Sequence, residues 1–259
     1  MDLDLRATAK GWISDFILGY CRRTGTESIW RAPIVGLADA GSPLFPELRI
    51  VAYRGHRVPQ DYLPGARTVI SYFLPFEPSV AEGNVGGDSP SRGWADAYNV
   101  TNAMAAELNR RIADGVKGLG FSAVVPEDAG VIVDGTYSVW SQRHVARIAG
   151  LGSFGMNNML ITKSGCCGRF FSVITDVPCV HDAPFTGERC LHRLDGSCGR
   201  CMSVCPMHAI SDDGFDRTAC GGRCGSNMAI LGADVCGKCV VGMPCTSRDP
   251  SGNGGENDG

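Results

Sequence analysis

Cys198, Cys201 and Cys205, the last followed by Pro206, stand at the spacing C-x2-C-x3-C-P. Short turns between soft thiolate donors bring sulfur to an inorganic iron–sulfur group. The full ligand run has a further cysteine three residues earlier; this chain has Asp195 there, a harder and poorer donor for iron. Nine of the thirteen cysteines lie between Cys190 and Cys245. An odd count, C-x2-C pairs and no apolar export segment at the start point to metal ligation rather than to a disulfide framework.

Two four-iron clusters need eight thiolates, and the terminal segment offers Cys190, Cys198, Cys201, Cys205, Cys220, Cys224, Cys236, Cys239 and Cys245. In two-cluster ferredoxins the cysteine before the proline ligates the other cluster. That crossing rule places Cys198 and Cys201 on cluster I and Cys205 on cluster II, with the pair Cys236 and Cys239. Cys245 returns to cluster I. Cys190, the nearest thiolate upstream of Asp195, completes cluster I, with Asp195 or Cys179 as rivals. Cys220 completes cluster II, with Cys224 as its rival. Structural zinc also uses C-x2-C pairs, but it does not explain the cysteine–proline step or so many thiolates.

A glycine pattern elsewhere suggests different chemistry. Gly150, Gly152 and Gly155 match G-x-G-x-x-G, which in a dinucleotide site must follow a strand. Here "SQRHVARIA" precedes it and reads as a helix, so the glycines are expected at a helix C-terminus.

The elements that would position these groups are legible from apolar periodicity. Leu5, Ala9, Trp12, Phe16 and Tyr20, with Ile13 and Ile17, mark a first helix. Residues 49–55 and 66–74 are rich in β-branched and aromatic residues and read as strands, joined by the turn-forming "VPQDYLPG". Residues 76–93 have no period and read as a long loop, a lid or a mobile segment. Met104, Leu108, Ile112 and Val116 form one stripe of a helix ending near Gly118. Short strands are expected in "FSAVV", "VIV", "NMLIT" and "FFSVIT", and a helix in "SVWSQRHVARIAG" with Val139, His144 or Val145, and Ile148 inward. This alternation predicts an α/β domain over 1–182. Residues 183–246 have few large apolar side chains and need a metal core; 247–259 read as a disordered tail. A composition of 44% hydrophobic and 20% charged residues is that of a globular chain. A net charge of -3 gives no ground for non-specific nucleic-acid binding. No run approaches a membrane span, so a cytoplasmic protein is expected.

"RHVARIAGLGSFGMNNMLITKSGCCGRFFSVITDVP", followed by the cysteine module, resembles the epoxyqueuosine reductase and reductive dehalogenase superfamily. "YLPGARTVISYFLPF" is similar to its early strand region. The resemblance implies an α+β, nitroreductase-like sheet with flanking helices, plus a small bacterial-ferredoxin-like module with two [4Fe-4S] clusters. It also implies a corrinoid (cobalamin) as the acceptor; flavin is the alternative, since that fold also carries flavin. An aspartate shortly before the "AGLG" helix serves the family as proton donor, and Asp134 lies in that region. Gln142 stands where a glutamate is usual. The family's reductases continue into a helical-repeat domain that helps hold tRNA; this chain stops fourteen residues after Cys245, and with its negative charge a tRNA substrate is disfavoured.

The expected function is an iron–sulfur oxidoreductase that passes low-potential electrons to a cofactor or small-molecule substrate. A ferredoxin- or flavodoxin-type donor is expected, and a homodimer is admitted. The rival readings are an electron carrier or corrinoid-reducing partner, and a cofactor-free redox sensor. Asp134 is the candidate acid, with turn capping as its ordinary alternative. Arg143, His144, Gly150, Gly152 and Gly155 are the candidate cofactor contacts. The adjacent Cys166 and Cys167 are either redox-active or simply buried.

Overall fold

A computed structural model of the chain describes residues 4–25, 27–129, 132–133 and 137–252. It divides into two compact units, each drawn from three stretches of sequence. The first comprises Met1–Leu74, Ala103–Leu151 and Arg169–Phe185; the second comprises Pro75–Asn102, Gly152–Gly168 and Thr186–Gly259.

In the first unit, Asp4 caps the helix Leu5–Thr24 by accepting from the Ala7 N–H at 2.9 Å. Its buried stripe is Leu5, Ala9, Ile13 and Ile17, four residues apart along one face. Trp12, Phe16 and Tyr20 flank that stripe and are half-buried. The sheet has the strand order Ile34–Asp39, Thr68–Pro75, Gly168–Thr175, Ala123–Val124. Its first pair is antiparallel, from Ile34 opposite Phe73 to Asp39 opposite Thr68, and its last is antiparallel with Ala123 opposite Thr175. Thr68–Pro75 is buried along its whole length, as an inner strand covered on both faces must be.

One expectation is corrected here. The strand over 49–55 is absent: Leu44–Val51 is a helix followed by turns. Phe45 and Leu48 face inward, while Ile50 is 86% exposed, so the β-branched residues that suggested a strand are surface residues of a helix. The strand that pairs there is Ile34–Asp39, which the sequence reading had not identified.

The core centres on Trp140, fully buried and stacked on Phe45 at 5.9 Å, with His56 at 5.8 Å on a tilted plane and Tyr62 edge-on at 5.2 Å. Val145, Ile148 and Ala149 close it from the helix Gln142–Ile148. Burying each large side chain stabilises by about 1.5–3 kcal/mol.

The second unit contains the short helix Pro78–Glu82 and the start of the helix Arg92–Gly118, so the long loop expected over 76–93 is confined to 83–91. A hairpin of Ser153–Phe154 with Leu160–Ile161 follows. Then come the helices Leu191–Asp195 and Arg200–Ser203, the hairpin Ile210–Ser211 with Gly214–Phe215, the helix Arg217–Leu231 and the 3-10 turn Lys238–Val240. Residues 247–252, assigned to a tail from sequence, are partly held: Asp249 meets Arg189 at 2.7 Å, with side chains 8% and 11% exposed. Residues 253–259 of that tail lie outside the described residues. No helix among the described residues is long and apolar enough to cross a membrane.

Candidate metal centre

The thirteen cysteines all lie among the described residues, and none is in a disulfide. Among the described residues no group of three or more His, Cys, Asp or Glu side chains is arranged to hold a metal ion, yet several thiols lie near enough to shift one another's titration. Cys190 caps the helix Leu191–Asp195, its N–H donating to Glu188 Oε1 at 2.7 Å. The Ser153 hydroxyl donates to the same oxygen at 3.1 Å. Cys201 sits on the helix Arg200–Ser203, between Cys198 and Cys205. The Cys201 thiol is pushed up to about 11, first by burial and then by the neighbouring charges of Cys245, Cys190 and Cys198. These are the four thiolates the sequence assigns to cluster I.

A second group of thiols surrounds Cys239, and Cys201 reaches it as well. Cys220 and Cys224 lie four apart on the helix Arg217–Leu231, which Asp216 caps by accepting from the Ala219 N–H at 2.9 Å. The Cys239 thiol is pushed far up, first by burial, then by Cys220 and Cys236 and more weakly by Cys201 and Cys205. Cys236 is raised by burial, with Cys220 and Cys205 adding to the effect. Cys205 itself accepts from the Ala209 N–H at 3.4 Å. Cys224 is raised chiefly by its hydrogen bond with Cys220 and, unlike Cys220, is not among the charges that act on Cys239.

The rival ligands stand elsewhere. Asp195 is exposed, and its carboxyl is lowered first by the Ser197 side chain and then by the Ser197 N–H, which donates to it at 2.9 Å. Cys179 belongs to the first unit and lies 3.3 Å from the Thr68 hydroxyl, which is also 3.0 Å from His181 Nε2.

Residues 83–94 pack against the second group. Gly237 has a φ of 76°, and a Cβ there would come within 2.5 Å of the Trp94 indole, so the turn between Cys236 and Cys239 admits only glycine. Asn84 Nδ2 donates to the Cys236 carbonyl at 3.1 Å. Lys238 is 5% exposed, and its ammonium donates to the carbonyls of Asn84 at 2.8 Å and Gly86 at 2.7 Å. Burial lowers that ammonium while the charge of Cys236 holds it up. Sequence reasoning missed Lys238; its only signal was a cation inside a C-x2-C pair.

Cys166 and Cys167 are fully buried. Their N–H groups donate to the carbonyls of Cys245 at 2.9 Å and Thr246 at 3.0 Å, and the Cys166 and Cys245 sulfurs are 3.9 Å apart. That hydrogen bond is the largest cause lowering Cys245 and raising Cys166.

The other candidates fall out as follows. Asp134 lies outside the described residues. Gly150, with φ 76°, ends the helix Gln142–Ile148. Its N–H bonds to the Arg147 carbonyl and that of Leu151 to the Ala146 carbonyl, the paired bonds of a Schellman cap. A Cβ on Gly152 would lie 2.0 Å from the Ile161 carbonyl, and one on Gly155 3.0 Å from Asn157 Oδ1; both glycines permit the hairpin to close. Arg143 and His144 are half-buried on that helix, with His144 Nδ1 2.7 Å from the Ser141 hydroxyl. Gln142 Oε1 accepts from the Ser172 hydroxyl at 2.8 Å, and Trp140 Nε1 donates to the same hydroxyl at 3.0 Å. An open cavity of about 360 Å³ in the second unit is lined by Phe154, Met156, His192, Arg193, Asp212 and Phe215 among others, a size suited to a small ligand.

No family model matches the chain. An epoxyqueuosine reductase of Cyclobacterium marinum is 36% identical over 92 residues, 34% of this chain and 26% of the relative. One from Lactococcus garvieae is 28% identical over 163 residues, 60% of this chain and 42% of the relative. The matches thus span less than half the length of these curated relatives. A solved catabolic reductive dehalogenase shares the fold with a TM-score of 0.58 at 20% identity, over 84% of this chain and 30% of the dehalogenase.

Proposed function

We propose that this chain, which belongs to the superfamily of epoxyqueuosine reductases and reductive dehalogenases, is an oxidoreductase whose second unit carries two [4Fe-4S] clusters. The observation that carries the proposal is the crowding of thiols around Cys201, by Cys245, Cys190 and Cys198, and around Cys239, by Cys220, Cys236, Cys201 and Cys205. The spacing assigns Cys190, Cys198, Cys201 and Cys245 to one cluster and Cys205, Cys220, Cys236 and Cys239 to the other. Where thiolates raise one another's pKa, as around Cys201 and Cys239, deprotonating the set is unfavourable until cationic iron joins it. Soft donors in fours suit an iron–sulfur group, and with clusters bound the unit would supply one-electron reducing equivalents at low potential.

The chain's own residues fix the donors. The Gly237 turn presents Cys236 and Cys239, and the Arg217–Leu231 helix presents Cys220. The buried Lys238 ammonium places a positive charge beside ligands that carry negative charge. The acceptor is proposed to be a corrinoid or a small substrate, on the family likeness, with Asp134 as the proton donor. Arg143 and His144 are the side chains proposed to meet an anionic group of a cofactor, while Gly150, Gly152 and Gly155 serve packing. A ferredoxin- or flavodoxin-type protein is the proposed electron donor.

The test is anaerobic reconstitution with iron and sulfide, followed by iron analysis and EPR of the reduced protein. Uptake of eight irons per chain is expected, with Cys190→Ser disturbing one cluster's spectrum and sparing the other. Stable binding of zinc with no cluster spectrum would overturn the proposal. One equivalent of cob(II)alamin giving a shifted EPR signal would identify the acceptor; unchanged free-cobalamin spectra would remove the corrinoid.

A further inference from the structure

Cys166 is a buried thiol with no place in the eight-ligand scheme, yet its sulfur lies 3.9 Å from that of Cys245. We infer that Cys166 is a positioning residue for cluster I. Its S–H donates to the Cys245 sulfur and makes that cluster easier to reduce. The inference rests on the reading of Cys245 as a ligand.

The geometry is built rather than incidental. Gly165 has φ 85°, and a Cβ there would meet the Thr246 carbonyl at 2.4 Å, so only glycine lets the two segments approach. The Thr162 and Gly165 backbones exchange hydrogen bonds at 3.0 Å in both directions, and the Thr162 hydroxyl adds a third at 2.8 Å. On the other side the Thr246 hydroxyl accepts from the Met243 N–H at 2.8 Å. Two backbone bonds, from Cys166 to Cys245 and from Cys167 to Thr246, then lock the segments side by side. The Phe76 N–H closes the far side by donating to the Cys167 carbonyl at 2.9 Å. With both ends pinned, the sulfurs have little freedom to part.

The direction of the bond follows from chemistry. A sulfur that ligates iron holds no proton, so Cys166 must be the donor and Cys245 the acceptor. Reduction adds negative charge to the cluster, and some of it resides on the ligand sulfurs. A hydrogen bond to one of them therefore favours the reduced state and raises the potential. Cys166 is 0% exposed, so no water replaces the S–H if it is removed.

The test is a potentiometric EPR titration of reconstituted wild type and Cys166→Ala, with iron measured in each. The expected result is full iron content in the variant and a lower potential for one cluster only. At a fixed potential that cluster should be about tenfold less reduced, about 59 mV for a one-electron couple. Unchanged potentials with intact clusters would overturn the inference alone. Loss of one cluster from a folded variant would overturn it too, by making Cys166 a ligand. Wild type that takes up no cluster removes the underlying reading, and this inference with it. Should Cys166→Ala fail to fold, the wild type still decides the matter. Its reduced-minus-oxidised infrared spectrum is expected to contain an S–H band that moves to lower frequency on reduction, and a spectrum with no such band refutes the bond.

Discussion

Replacing His56 with phenylalanine should remove a specific dependence of stability on pH. His56 is 1% exposed beside Trp140. Its Nδ1 lies 2.7 Å from the Arg57 carbonyl, and the Ser141 N–H donates to its Nε2 at 2.9 Å. Those partners require a neutral ring with the proton on Nδ1. Protonating Nε2 would break the bond to Ser141, at the start of the helix that carries Arg143 and His144. Burial accordingly lowers the ring's pKa below 6.5, with the Arg57 carbonyl opposing and Arg49 assisting. The folded pKa is thus depressed relative to the unfolded chain. The contribution to stability is complete above about pH 6.5 and is lost as the pH falls toward the folded value, because there the unfolded chain binds the extra proton. One proton gives at most about 1.36 kcal/mol per pH unit. Between pH 8 and pH 5.5 the wild type should lose up to about 1.4 kcal/mol that His56→Phe does not lose. Urea denaturation of both proteins across that range measures the difference, in which the other histidines cancel. A difference in stability that is flat with pH would refute the neutral, doubly bonded ring.

Three further outcomes are expected. Asp249→Ala should destabilise the second unit by about 3 kcal/mol, because it removes the carboxylate that balances the nearly buried Arg189 charge; a loss under about 1 kcal/mol in urea denaturation would mark the pair as an ordinary surface bridge. Gly150→Ala, which forces a Cβ into left-handed backbone 2.6 Å from the Ala183 carbonyl, should cost about 1–2 kcal/mol or more, read as a lower melting temperature. Cys224→Ser should retain full iron content where Cys220→Ser loses it, and the reverse result would exchange their roles.

The proposed ligand scheme comes from the sequence alone, because cluster ligands are set by local spacing and a thiolate is informative wherever it stands. The glycine motif was also legible, since a left-handed Gly150 behind "VARIA" is local cap chemistry. What escaped was set by long-range partners. Ile50 and Val51 have strand-like side chains, yet Phe45 and Leu48 seat on Trp140 and Val69 and hold that stretch as a helix. Residues 76–93 read as a lid or mobile loop because nothing local shows that the carbonyls of Asn84 and Gly86 await an ammonium more than 150 residues away. Asn84, Trp94, Cys166 and Cys167 all belong to the cysteine-bearing unit, and no spacing rule connects them to it.

That discontinuity has a consequence for how the chain is made. Residues 75–102 leave the ribosome long before Cys245; at 5–20 residues per second the interval is roughly 10 to 30 s. Throughout it the carbonyls meant for Lys238 and the backbone meant for Cys245 have no partner, and no full set of thiols exists to receive iron. On the proposed two-cluster reading, loading with iron would be the closing event of biogenesis rather than an early nucleus. On that reading, a cell short of iron would accumulate a chain whose first unit is complete while three separate stretches of the second still wait for one another.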